Sequence, residues 1–169
     1  MANTSKLHGF NIVQASLDDL DTIYKNEVAC YQFPWSKIML KQGLVDQIRL
    51  SEHLTDNKNN LAFLMFKEST IIGHMFIQKI ADEIHLHNVC ILPENQMRNF
   101  GQNWIDFLKS ISIHLKVNQV LLEVRKSNIK AINLYQKNNF KKIGSRKKYY
   151  RNEFGKPQED ALVFKWCVG

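Results

Sequence analysis

A single mixed α/β domain, one sheet with helices on its faces, is the fold this chain predicts. Three observations carry the prediction. The hydrophobic period switches repeatedly between the strand and helix values along 169 residues. Hairpin-like strand pairs alternate with crossover helices, an order that builds a mixed sheet. There is no internal repeat and no Pro- or Gly-rich linker, so residues 1 to 169 are read as one domain.

The elements follow in chain order. Phe10 to Gln14 is a short strand. Ser16-Leu17-Asp18-Asp19 resembles a capping box, and Leu17, Leu20, Ile23 and Tyr24 recur at helical spacing. This helix should stop near Cys30, because Pro34 lacks an N–H and biases Phe33 away from the helical region. Ser36 can cap a second helix, read from Lys37 to Leu54, with Ile38, Leu44 and Ile48 apolar and Gly43 a weak spot. After a polar turn over Asp56 to Asn60, Leu61 to Lys67 and Ile71 to Ile80 form a hairpin around Glu68-Ser69-Thr70. A turn at Ala81-Asp82 leads to a third meander strand, Glu83 to Leu92, stopped by Pro93. From Gly101 to Lys116, Trp104, Ile105, Leu108, Ile111 and Leu115 mark a helix. Val120 to Val124 is a buried strand. Ser127 or Asn128 caps a helix carrying Ile129, Ile132, Leu134 and Tyr135 to about Asn138. Phe140 to Arg146 and Ala161 to Val168 close the sheet.

Composition narrows the class. The chain is 44% hydrophobic and 23% charged, which excludes disorder and fibre, and no apolar run is long enough for a membrane helix. The first residues show no apolar export segment, so the reading is cytoplasmic. Cys30, Cys90 and Cys167 are odd in number and far apart, encoding neither a disulfide framework nor a zinc site. His85 and His87 alternate on one strand face without a third ligand at metal spacing, so no metal is expected. Residues 125 to 169 hold 12 Lys and Arg against 3 Asp and Glu, net +9, whereas residues 1 to 124 hold 11 against 13, net −2. Such a field suits a phosphate-bearing ligand or nucleic acid, or is simply a solvated basic face.

Two segments carry chemistry. Glu94 to Gln102 joins a strand to a long helix, placing backbone N–H groups and a helix dipole where a pyrophosphate could sit. Neither a Walker loop nor a dinucleotide fingerprint is present there. In Leu121-Leu122-Glu123-Val124-Arg125, Glu123 stands in an apolar strand. A carboxylate buried with little counter-charge can act as a base near neutrality, unless it pairs with Arg125 or a neighbouring Lys. Tyr135 lies 12 positions on, in the next helix, where an aromatic is ordinarily core. With Glu123 it would nonetheless supply the two proton transfers that acyl transfer from a thioester to an amine requires.

The strings Asn88-Val89-Cys90-Ile91, Gln96 to Gly101, Leu122-Glu123-Val124-Arg125-Lys126-Ser127-Asn128 and Asn133 to Phe140 resemble the GNAT-type N-acetyltransferases. Phe33-Pro34-Trp35-Ser36, Tyr149-Tyr150 and Glu159-Asp160-Ala161 bring the likeness nearest to the RimI branch, which acetylates the N-terminal alanine of a small-subunit ribosomal protein. The resemblance spans residues 10 to 166. It implies the GNAT fold, a single mixed, mostly antiparallel central sheet flanked by about four helices, with acetyl-CoA as cosubstrate and no metal.

By that resemblance, Met97, Arg98, Asn99, Phe100, Gly101 and Gln102 would hold the pyrophosphate of acetyl-CoA. Val89, Cys90 and Ile91 would pair with its pantetheine arm along a splayed strand, a backbone N–H there polarising the thioester oxygen. Asn128 would also contact the cofactor. Glu123 would be the general base and Tyr135 the general acid in direct transfer within a ternary complex. Phe33, Trp35, Tyr149 and Tyr150 would surround the acceptor peptide. Two family glycines are replaced by Asn99 and Asn139, and Asn is the non-Gly residue most tolerant of a left-handed backbone, so both turns are expected to survive. Met97 and Leu92 replace a customary basic residue and a customary Asp.

Cys90 could accept the acetyl group covalently, but no adjacent His or Lys is apparent to activate it. Two other functions compete with N-terminal acetylation. One is acetylation of a small amine, a polyamine or aminoglycoside, on the same scaffold. The other is an RNA- or ribosome-binding module with degraded activity, built on Lys141, Lys142, Arg146, Lys147, Lys148 and Arg151. Weak RNA contact through that basic region is also compatible with an active enzyme.

Overall fold

The computed structural model describes residues 10–45, 47–48 and 59–169. Its strands are β1 (Phe10–Gln14), β2 (Asn60–Lys67), β3 (Thr70–Ile80), β4 (Glu83–Ile91), β5 (Gln119–Arg125), β6 (Lys141–Tyr150) and β7 (Glu159–Cys167). Four helices accompany them: α1 (Leu20–Cys30), α2 (Lys37–Leu44), α3 (Phe100–His114) and α4 (Ile129–Lys137). The strands form one seven-stranded sheet in the order β1-β2-β3-β4-β5-β7-β6. The pairs β1–β2, β2–β3, β5–β7 and β6–β7 are antiparallel, and β4–β5 is parallel. The mixed, mostly antiparallel sheet with four helices is therefore the architecture observed. No helix among the described residues is long and apolar enough to cross a membrane.

The chain divides into two compact units, residues 1–79 with 87–98, and residues 80–86 with 99–169. In the first unit, α1 and α2 close over β2 and β3. Their core joins Ala15, Ile23, Leu40, Leu44, Ala62, Leu64 and Phe76, with Trp35 against its margin. α1 stops at Cys30 as Pro34 requires, and Ser36 caps α2 by accepting from the Met39 N–H at 3.3 Å.

The second helix is shorter than its apolar spacing predicts. It ends at Leu44, Val45 turns extended, and Gln47 bridges to Asn60, so Ile48 donates its N–H to the Asn60 carbonyl instead of continuing a helical turn. Residues 49 to 54 of the expected helix lie outside the described residues. Gly43 is a packing requirement rather than a weak spot, since a Cβ there would fall 2.6 Å from the Phe76 ring.

In the second unit, α3 buries Trp104, Ile105, Leu108 and Ile111, the face its spacing predicts. Val120, Leu122 and Val124 of β5 are buried, while Leu121, Glu123 and Arg125 on the opposite face are only half-buried. Tyr135, Phe140 and Phe164 form an aromatic cluster, with ring centroids 5.7 and 6.3 Å from Tyr135. Asn128 caps α4 by accepting from the Ala131 N–H at 3.2 Å. β6 is longer than expected, running to Tyr150, and is exposed along almost its whole length at the edge of the sheet.

Candidate active site

The predicted base lies in a charged cluster of the second unit. Glu123 faces Val163 of β7 across the β5–β7 ladder, and β6 follows in the sheet. Arg146 of β6 reaches over that strand, and its Nε lies 2.9 Å from Glu123 Oε1. The expectation of a carboxylate with little counter-charge is therefore corrected. The counter-charge is Arg146, neither Arg125 nor a lysine, and the Glu123 side chain is 23% exposed. Sequence could not pair them, because their contact depends on the β6–β7 register, which shifts beyond Arg146.

Two phenols adjoin this carboxylate. Tyr149 donates a hydrogen bond to Glu123, which pushes its phenol above the ordinary range, and its ring receives the Arg146 guanidinium at 5.4 Å. Tyr150 stacks edge-on to Tyr149 at 5.0 Å and beneath the Arg125 guanidinium at 4.5 Å. Burial first, then the Glu123 charge, push the Tyr150 phenol strongly up. Arg125 is fixed in turn by Glu159 at 3.1 Å, which also accepts from the Ser127 N–H at 2.6 Å. Burial opposes ionisation of Glu159, but the hydrogen bonds from Ser127 and Arg125 outweigh it and hold the carboxyl below its ordinary range. Tyr135 is buried, and burial pushes its phenol to about 12, so it is protonated at neutral pH.

The two asparagines expected in left-handed turns, Asn99 before α3 and Asn139 after α4, are found there. Asn99 has φ 64° and Asn139 φ 66°, so both substitutions keep the left-handed turn. Met97 is also left-handed, at φ 59°, with its side chain fully in solvent. α3 begins at Phe100 without a side-chain cap. Gly101 lies close to α4, where a Cβ would meet Leu134 Cδ2 at 3.1 Å. This donor set, backbone amides at the start of a 15-residue helix beside Arg98, suits the pyrophosphate of acetyl-CoA. The Asn128 side chain is committed to capping α4.

The first unit holds the other predicted residues. Leu92 donates its N–H to the Ile72 carbonyl of β3, so the carbonyls of Val89 and Ile91 face away from β3. Their acceptors are already engaged. Tyr31 Oη donates to the Val89 carbonyl at 2.6 Å, and Gln96 Nε2 to the Ile91 carbonyl at 3.0 Å. The β4–β5 register runs from Glu83↔Gln119 to Leu86↔Leu122 and does not include Val89 to Ile91. A carbonyl carries two lone pairs, so a pantetheine amide can still share these groups. Trp35 packs against Phe76 at 5.8 Å, and Phe33 is exposed.

Residue reasoning missed a buried polar knot beside these segments. Glu27 of α1 is 1% exposed and lies 2.9 Å from His74 Nε2 of β3. It also accepts from Asn88 Nδ2 at 3.1 Å and from the Trp35 N–H at 2.8 Å. His74 Nδ1 lies 3.3 Å from Cys90 Sγ, so a histidine does adjoin that thiol, contrary to expectation. Burial nevertheless pushes the Cys90 thiol well up, which keeps it protonated and opposes a nucleophilic role. A signal was available: Glu27 follows Ile23 on the apolar face of α1, and His74 interrupts an apolar strand. His85 and His87 meet Glu83 and Gln78, at 3.1 and 3.3 Å. Among the described residues no group of three or more His, Cys, Asp or Glu is placed to hold a metal ion.

The family model described as the acetyltransferase (GNAT) family matches residues 20–140. The chain belongs to the GNAT acetyltransferase family. This acetyltransferase is 31% identical over 155 residues to the ribosomal protein bS18-alanine N-acetyltransferase of Haemophilus influenzae, covering 90% of the chain and 94% of that relative. Its fold is similar to the crystal structure of the ribosomal-protein-S18-alanine N-acetyltransferase from Escherichia coli, with TM-score 0.81, 24% identity and coverage of 95% and 94% of the two chains. It is also similar in fold to a spermidine/spermine N-acetyltransferase from Vibrio cholerae, with TM-score 0.72, 20% identity and coverage of 94% and 95%. It is accordingly an acetyl-CoA-dependent N-acetyltransferase.

Proposed function

We propose that this enzyme acetylates the N-terminal α-amine of a protein, the N-terminal alanine of a small-subunit ribosomal protein, with residues 1 to 169 acting as one domain. The observation that carries the reading is the Glu123–Arg146–Tyr149–Tyr150 cluster, a carboxylate beside two aromatic walls on the terminal hairpin. The names of its relatives support this acceptor class.

Acetyl-CoA supplies an acetyl group activated as a thioester. The loop Met97, Arg98, Asn99, Phe100, Gly101 and Gln102 would hold its pyrophosphate, and Val89, Cys90 and Ile91 would align its pantetheine arm, with Asn128 nearby. An α-amine has a pKa near 8, so much of it is protonated at neutrality and its proton must leave before or during attack. Glu123 takes that proton, directly or through one water, while Arg146 fixes the carboxylate. As the new C–N bond forms and the C–S bond breaks, Tyr135 returns a proton to the departing sulfur. Direct transfer in a ternary complex needs no covalent intermediate on Cys90. Phe33, Trp35, Tyr149 and Tyr150 hold the acceptor peptide, and the exposed lysines of β6 offer a face for RNA near it, without Arg146, which is engaged by Glu123.

The test is release of the coenzyme A thiol from acetyl-CoA, with matched peptides beginning in Ala, Ser, Met or a blocked terminus, alongside spermidine. Turnover with the free Ala peptide and none with the blocked one supports N-terminal transfer. Turnover with spermidine alone moves the acceptor to a small amine.

A further inference from the structure

Glu27 is a buried carboxyl group that the transfer chemistry does not use, and burying one is costly unless donors surround it. It has such donors from three separate segments. The Trp35 N–H at 2.8 Å belongs to the turn after Pro34, Asn88 Nδ2 at 3.1 Å belongs to β4, and His74 Nε2 at 2.9 Å belongs to β3. The chain of contacts continues past it. Asn88 Oδ1 lies 3.3 Å from Tyr31 Oη, whose shorter contact, 2.6 Å, is to the Val89 carbonyl.

The remaining partners complete the hydrogen bonding of the knot. His74 is fully buried, with Nε2 toward the carboxylate and Nδ1 toward the Cys90 thiol. The arrangement in which every atom has a partner directs Nε2–H to the carboxylate and leaves Nδ1 to the Cys90 sulfur. Glu27 is thus held by three kinds of N–H donor. Only an acceptor-only group with two oxygens can take all of these bonds at once, so glutamine, which presents an NH2 in place of one oxygen, cannot replace it.

We infer that Glu27 is a positioning residue for acetyl transfer: through Trp35 N–H on one side and Asn88, Tyr31 and the Val89 carbonyl on the other, it sets the acceptor turn against the thioester strand. The inference rests on the proposed roles of Phe33 and Trp35 and of Val89 to Ile91, and adds the residue that couples them. A misplacement of about 1 Å between reacting groups is enough to cost on the order of a hundredfold in rate. The knot therefore sits where modest loosening reads directly in kinetics.

The experiment measures kcat and KM for the Ala-leading peptide, coenzyme A affinity by calorimetry, and thermal melting, for wild type, Glu27→Gln and Tyr31→Phe. Both variants are expected to raise the peptide KM fivefold or more, while coenzyme A affinity stays within threefold. A merely structural role would lower the melting temperature and the active fraction but leave the peptide KM unchanged. If Glu27→Gln does not fold, Tyr31→Phe decides alone, since it removes one hydroxyl and no buried charge. An unchanged peptide KM in the folded variants overturns the inference and leaves the acceptor reading standing. A wild type that binds coenzyme A yet turns over no peptide overturns the acceptor reading, and this inference with it.

Discussion

Replacing Gly73 by alanine should damage this enzyme out of proportion to the single methyl group it adds. Gly73 is in β3, and a Cβ built there lies 2.3 Å from the Cys90 carbonyl oxygen and 3.0 Å from Ile91 Cδ1. A carbon at that distance from a backbone oxygen is about 1 Å inside van der Waals contact. The backbone oxygen cannot swing aside as a side chain would, so β4 must shift. Overpacking of this kind costs about 1–3 kcal/mol, and each ladder hydrogen bond lost adds about 1 kcal/mol. Relief of glycine's chain entropy returns only about 0.5–1 kcal/mol. The expected net loss is about 2–3 kcal/mol, read as a lower urea midpoint at unchanged slope. Gly144→Ala is the internal control, because no heavy atom lies within 4 Å of its Cβ; it should be neutral or slightly stabilising. Since the displaced carbonyl belongs to Cys90, the folded fraction of Gly73→Ala should also lose at least tenfold in kcat/KM for acetyl-CoA. A Gly73→Ala protein within 0.5 kcal/mol of Gly144→Ala would refute the reasoning.

Glu123→Gln should lower kcat by about 10²–10⁴, the usual range for loss of a general base, with little change in melting temperature, because its pair with the half-exposed Arg146 is screened by solvent. Tyr135→Phe should lower kcat by about 10²-fold. It should also change stability at high pH. With the phenol at about 12 in the folded protein against 10 unfolded, the folded state keeps the proton longer. That contribution is complete below pH 10 and is lost as pH rises toward 12, a loss on the order of 3 kcal/mol. Denaturant midpoints across that range should fall less steeply in Tyr135→Phe than in wild type. Cys90→Ala should keep kcat within threefold at lowered stability, and loss of turnover in a folded Cys90→Ala protein would revive a covalent step.

Much of the architecture was legible because local rules and the fold agree. Helix α1 ends where Pro34 ends it, Ser36 caps α2 as expected, Asn128 is the one of the two candidate caps that closes α4, and Asn99 and Asn139 occupy left-handed positions. The failures share a cause. The length of α2 was misread because Ile48 continues an apolar spacing while its backbone joins Asn60, a pairing 12 residues away that periodicity cannot register. Glu123 was expected with little counter-charge because Arg146 reaches it over an intervening strand. Gly43 was read as a weak spot in its helix, and only the folded chain sets the Phe76 ring against it.

Residue order by itself determined the succession of elements, their caps and turns, and the motif strings that mark an acetyltransferase, because each depends on neighbours within a few residues. Only the tertiary structure decided which charge Glu123 faces, that Tyr135 packs against Phe140 and Phe164, and that Glu27, His74, Asn88 and Cys90 form one buried knot. The partners within the knot are separated by 16 to 61 positions. They meet through strand register and helix packing, and a pairing set by register is not encoded in the local pattern of either partner.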